Sequence, residues 1–189
     1  MYSTLLADAT FHELLLAFDR DLADSARAAG CALCGGVLHS AKYPRKPPRR
    51  MHALGPEHDW RFSFCCAVDG CRSRATPPSL RFLGRKVYLA AIVVVVSIMQ
   101  HGISERRMRR LTQAIGVDRR TVARWRLWWR EVFTATPLWQ IARAAFMPPV
   151  DENRLPAALI ERFAGGAAER LIALLRFLSP ISGGQVQAR

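Results

Sequence analysis

Leu111-Thr-Gln-Ala-Ile-Gly-Val-Asp-Arg-Arg-Thr-Val-Ala-Arg-Trp125 is the stretch on which the reading of this chain turns. Gly116-Val-Asp118 has the composition of a tight turn and separates two segments of helical periodicity. Ser104 is placed to cap the first, roughly 105–115, and Asp118 the second, 119 to about 133. On the first, Met108, Leu111 and Ile115 share one face, with Arg106, Arg109, Arg110 and Gln113 opposite. On the second, Val122, Trp125, Trp129 and Val132 form an apolar stripe. Opposite that stripe lie Arg120, Arg124 and Leu127, with Thr121 and Ala123 at the margins, and Arg119, Arg126 and Arg130 form a second basic row. Apolar behind and cationic or small in front is the build of the recognition helix of a helix-turn-helix. Arg120 and Arg124 are the candidate base readers, because a guanidinium meets guanine O6 and N7 with two hydrogen bonds. The flanking arginines and those of the first helix are candidates for phosphate. The competing reading is an ordinary helical pair with a solvated basic face. The tryptophans are expected in the core rather than stacked on bases.

Upstream, Cys31-Ala-Leu-Cys34 and Cys66-Ala-Val-Asp-Gly-Cys71 are two close cysteine pairs. Zinc takes four tetrahedral ligands, and a close pair in a tight turn supplies two thiolates. The segment between the pairs has room for the short strands of a zinc ribbon, and Gly70 permits a sharp turn. Cys31, Cys34, Cys66 and Cys71 are therefore expected to hold a structural Zn2+, closed on four thiolates. Cys65 adjoins Cys66, and His39, His52 and His58 lie between the pairs, so a substitute ligand stays open. The alternation of Trp60, Phe62 and Phe64 favours those rings packing together, with Cys66 in the turn beyond and Cys65 a buried thiol. Metal-free thiols and a redox role for Cys31 and Cys34 are the alternatives; no βαβ pattern surrounds that pair.

The chain has 189 residues, a formal net charge of +13 and 50% hydrophobic residues. That is enough apolar material for a packed core and argues against global disorder. All of the 28 basic residues except Lys42, Lys46 and Lys86 are Arg, a balance that favours polyanions. The start, Met1-Tyr-Ser-Thr-Leu-Leu-Ala-Asp8, shows no secretory signal. The longest apolar run, Val87 to Met99, is interrupted by Ser97 and falls short of the about 20 residues a membrane span needs. A cytoplasmic, nucleoid-associated protein with no membrane partner is expected, and in a reducing compartment paired cysteines favour metal over disulfide.

Elsewhere, residues 10–29 read as an amphipathic helix, with Thr10 and Glu13 as a capping box and Phe11, Leu14, Leu15, Phe18 and Leu22 on its apolar face. The proline-rich basic loop 42–50 and Arg72, Arg74, Arg81, Arg85 and Lys86 extend the cationic surface, either solvated or on phosphates. Residues 86–100 are read as a helix despite their β-branched run. Shorter helices follow near 137–146, 155–164 and 167–178. In the last, Leu171, Leu174, Leu175 and Leu178 either pack on the chain's own core or form a homodimer face. The fold class is mainly α with a small zinc-ribbon β unit: an N-terminal helix (1–30), a ribbon (31–79), a helix-turn-helix core (80–135) and C-terminal helices (136–189).

The two cysteine pairs with Arg72-Ser-Arg-Ala-Thr-Pro77, and Gly116 to Trp125, resemble the N-terminal DNA-binding region of bacterial insertion-sequence transposases. The resemblance spans 31–133 and implies a zinc ribbon followed by a helix-turn-helix that binds double-stranded DNA. Such transposases also carry three spaced acidic residues for two-metal phosphodiester chemistry. After Phe133 only Asp151, Glu152, Glu161 and Glu169 are acidic. The expectation is a non-catalytic, zinc-stabilised, sequence-specific DNA-binding protein. The alternatives are an architectural or RNA-binding basic scaffold and, behind it, a compact transposase or nuclease.

Overall fold

The computed structural model describes residues 2–45, 54–83, 87–88, 93, 105, 109 and 118–186. A short helix, α1 (Tyr2–Leu5), precedes the long α2 (Ala9–Ala29). Asp8, not Thr10, caps α2: its carboxylate accepts from the Thr10 amide at 2.9 Å. Glu13 reaches His58 instead of the helix end. The face that α2 buries is Phe11, His12, Leu15, Leu16, Asp19 and Ala23, while Leu14 points outward.

Six short strands follow within the first half: β1 (Leu38–Ser40), β2 (Tyr43–Pro44), β3 (Trp60–Arg61), β4 (Phe64–Cys66), β5 (Arg74–Thr76) and β6 (Phe82–Leu83). Val87–Tyr88 forms β7 and pairs with β6, so the helix expected over 86–100 does not begin there. Val93 is helical and fully buried. The main sheet is antiparallel in the order β1-β4-β5-β8, and its fourth strand, β8 (Gly184–Val186), comes from the far end of the chain. Of the aromatic alternation over 60–64, Phe62 and Phe64 pack in one cluster and Trp60 does not join them. Arg61 and Ser63 are buried while Trp60 is 41% exposed. The pairing breaks at residues 62–63, and the Arg61 guanidinium turns inward to the carbonyls of Pro77 (2.5 Å) and Ser182 (3.2 Å).

In the second half, α3 (Arg119–Leu127) runs into a π-helical segment, Trp128–Phe133. Helices α4 (Pro137–Ala142), α5 (Ala157–Ile160) and α6 (Ala167–Leu178) follow. A π-turn holds an extra residue per turn, so the inward side passes through Val122, Trp129 and Phe133, and Val132 is left 52% exposed. Trp129 and Phe133 meet edge to face with centroids 4.8 Å apart, and Trp139 continues the row. Leu171, Leu174, Leu175 and Leu178 are fully buried in the same core as Phe11 and Leu15, so the leucine face of α6 is consumed within the chain. Each such leucine contributes roughly 1.5–3 kcal/mol by leaving water. A smaller cluster of Ala23, Cys31, Leu38, Phe64 and Cys66 packs α2 against the cysteine turns and the main sheet.

A buried polar knot joins these parts. Asp19 and Arg81 are both fully buried and meet at 2.9 Å. Asp19 also accepts from the Ser79 hydroxyl (2.5 Å) and the Leu80 amide (2.7 Å), while Arg81 donates to the carbonyls of His58 and Trp60. Ser182 closes the knot by accepting from the Ser79 amide at 2.7 Å.

Candidate functional site

The two cysteine pairs sit in matched turns. After Cys31 the chain folds back so that the Gly35 amide donates to the Cys31 carbonyl (2.6 Å) and the Cys31 amide to the Gly36 carbonyl (2.9 Å). A Cβ on Gly36 would collide with the Val68 side chain and press on the sulfurs of Cys34 and Cys66 at 3.3 and 3.2 Å, so glycine lets the chain approach the cluster without displacing them. In the second turn the amides of Cys71 and Arg72 both donate to the Val68 carbonyl, with Gly70 at φ 86°.

These turns bring together Cys31, Cys34, Cys66 and Cys71, with all four sulfurs within 4.8 Å of one another. A metal held by four thiolates at about 2.3 Å in a tetrahedron needs sulfur–sulfur edges of about 3.8 Å. Cys31 and Cys71 stand 3.7 Å apart, and Cys34 and Cys66 3.4 Å. A disulfide needs about 2.05 Å, and all five cysteines are free thiols. The donor set fits one metal ion. Cys65 lies on the other side of β4, its sulfur directed at the carbonyls of Cys66 and Arg72, because neighbouring residues on a strand face opposite ways. His39 is exposed, His58 hydrogen-bonds Glu13 at 2.9 Å, and His52 lies outside the described residues.

Ser73 is a member of the site that cysteine spacing does not reveal. It is buried, 3.0 Å from the Cys31 sulfur and 3.5 Å from that of Cys71. Its hydroxyl, then the amides of Leu33 and Cys34, bring the Cys31 thiol down to about 6. The same hydroxyl lowers Cys71. The Gly36 amide acts to lower Cys34, but hydrogen bonds with the Cys66 and Cys71 thiols outweigh it and push Cys34 up to about 12. At Cys66 the Val68 amide lowers, and burial with the Cys71 and Cys31 thiols overrides it upward. Negative charge thus gathers first on the Ser73 side of the cluster.

The second candidate region is α3 and its π-helical extension. Asp118 caps α3, accepting from the Thr121 amide at 2.6 Å, and that bond lowers its pKa. Arg119, Arg120, Arg124, Arg126 and Arg130 are all exposed. Thr121 is half-buried, and its hydroxyl accepts from the Arg124 guanidinium at 2.9 Å. Arg109 is helical and exposed, whereas Arg106 and Arg110 lie outside the described residues, as do Met108, Leu111, Ile115 and the Gly116-Val117 turn.

The wider basic surface divides. Arg81 is not available for phosphate, being fully buried on Asp19. Arg72 and Arg74 are exposed, and Arg74 and Arg45 flank the Tyr43 ring at 5.6 and 4.0 Å. Arg85 and Lys86 lie outside the described residues. No helix among the described residues is long and apolar enough to cross a membrane. Comparison with protein-family models, with curated proteins and with solved structures finds no match.

Proposed function

We propose that this chain is a non-catalytic, zinc-stabilised protein that binds double-stranded DNA in a sequence-specific way, akin to the DNA-binding region of an insertion-sequence transposase. The observation that carries the reading is the outward side of α3 and its extension. Five arginines stand exposed there, none in an ion pair with an acid among the described residues, over an inner side anchored by Val122, Trp129 and Phe133. A helix of this width fits a major groove about 12 Å wide, with guanidiniums able to reach both base edges and phosphates. Asp118, Thr121 and Arg124 form a hydrogen-bonded series that orients one guanidinium before any ligand arrives. Arg72 and Arg74 of the ribbon add phosphate contacts.

Zinc is the metal that a closed tetrathiolate suits best, and its role is to fold a unit with little core of its own. The acids after residue 133 are occupied with structure. Asp151 caps the Asn153 amide, Glu152 accepts from the Trp139 indole at 2.8 Å, Glu161 pairs with Arg154 and Glu169 takes the Gly166 amide. A two-metal nuclease site would need carboxylates gathered on a shared pair of ions, and partners of this kind within the fold favour the non-catalytic reading.

The test is selection of bound duplexes from a random DNA pool by the zinc-loaded chain at near-physiological salt. Enrichment of one motif supports the proposal. Retention without enrichment overturns it in favour of an architectural or RNA-binding scaffold.

A further inference from the structure

The outward face of α3 is not uniformly cationic. Arg120, Ala123, Arg124 and Leu127 recur at i, i+3, i+4 and i+7, and all four are exposed. Leu127 is 52% exposed and lies one turn beyond Arg124, whose guanidinium is tethered to Thr121. Arg119, Arg126 and Arg130 flank the row on one side. Seven residues at 1.5 Å rise span about 10 Å, close to three base-pair steps of about 3.4 Å. With cationic side chains along one side of it to meet phosphates, the middle of the row faces base edges. There the one apolar group on offer is the C5-methyl of thymine, which a methylated cytosine also presents.

We propose that Leu127 is a specificity-determining residue that recognises the 5-methyl group of a pyrimidine in the major groove, one turn along the helix from the guanine met by Arg124. The assignment rests on the duplex-DNA reading above. Ala123, small and exposed between the two arginines, leaves the bases room to approach.

The experiment uses the full zinc-loaded chain, wild type and Leu127→Ala, on the motif enriched from the random pool. Uracil is substituted for each thymine in turn. The expected result is one position where loss of the methyl weakens the wild type about fourfold, the factor for one buried methyl-sized group. Leu127→Ala should bind the thymine and uracil duplexes alike. A second pool carrying 5-methylcytosine in place of cytosine separates the two sources. Enrichment of methylated cytosine at that position adds it as a ligand, and its exclusion leaves thymine alone, both in keeping with a methyl contact. If every methyl is neutral on a motif that is nonetheless enriched, the Leu127 assignment falls and the DNA reading stands. If no motif is enriched, both fall together. Leu127→Ala should melt at the wild-type temperature; a clear drop would make Leu127 a packing residue and overturn the proposal.

Discussion

The cysteine cluster and the arginine helix use their polar groups in opposite ways. In the ribbon, Cys31, Cys66 and Ser73 are buried and the sulfurs face one another. Along α3 and its π-helical extension, each of the five arginines is exposed to solvent. A group spent on its own fold is recognised by the company it keeps within the chain. A group left at the surface keeps most of its hydrogen-bonding capacity open to solvent. Arg81 and Arg124 show the difference within one residue type: Arg81 is fully buried on Asp19, and Arg124 is exposed and held by one hydroxyl.

The largest effect that sharpens this contrast is removal of metal. Structural zinc binding is worth roughly 10–16 kcal/mol, and that free energy is folding free energy. Chelation, or Cys34→Ser, should abolish hydrogen-exchange protection in β1 and β4 while α6 stays protected; an unchanged ribbon would exclude Cys34 as a ligand. Next comes Asp19→Ala, which leaves Arg81 buried without its counter-charge. Stability measured by denaturant should fall by about 3–5 kcal/mol, and a loss below about 1 kcal/mol would show the knot to be dispensable.

Arg124→Ala should do the reverse. Thermal stability should hold within about 0.5 kcal/mol, while affinity for the selected motif drops by roughly 1–3 kcal/mol and its sequence preference relaxes. Equal losses on selected and random duplexes would remove Arg124 from base reading. Arg109→Ala should weaken all sequences alike and make the slope of log K against log salt shallower by about 1.

The smallest effect concerns pH. Burial holds the pKa of His12 below 6.5, against the Leu6 carbonyl that raises it. Just below pH 6.5 the unfolded chain therefore binds more protons than the folded one. The stability contributed by neutral His12 is present above 6.5 and is lost as pH falls through the lowered folded value. Denaturation midpoints should decline over that window, and His12→Gln should flatten the decline.

Close-range features were legible in the sequence. The cysteine pairs announce a four-thiol cluster through spacing alone, and Asp118 announces a helix start. The period of 119–133 separates Val122 and Trp129 from Arg120 and Arg124, up to the π-turn that no periodicity signals. What escaped depends on partners remote in sequence. Asp19 interrupts the apolar face Phe11, Leu15, Ala23, which hints at a buried acid, but nothing local names Arg81 as its partner. Val87 and Tyr88 pair with Phe82 and Leu83 in β6, a partnership that the apolar run of 86–100 does not announce. Arg61 and Ser63 are buried among the aromatics because the carbonyls they meet lie on 75–77 and 182.

The seam between β5 and β8 sets an order of events during synthesis. Ser79 and Ser182 bond across 103 residues, so the ribosome must add that much chain before the seam can close, roughly 5–20 s at 5–20 residues per second. During that interval the outer edge of β5 is an unpaired strand edge, open to pairing with other chains. The cysteine turns need no such wait, because both are complete by residue 73. Metal capture can therefore precede completion of the sheet, leaving a nascent chain with a formed cluster and an open flank.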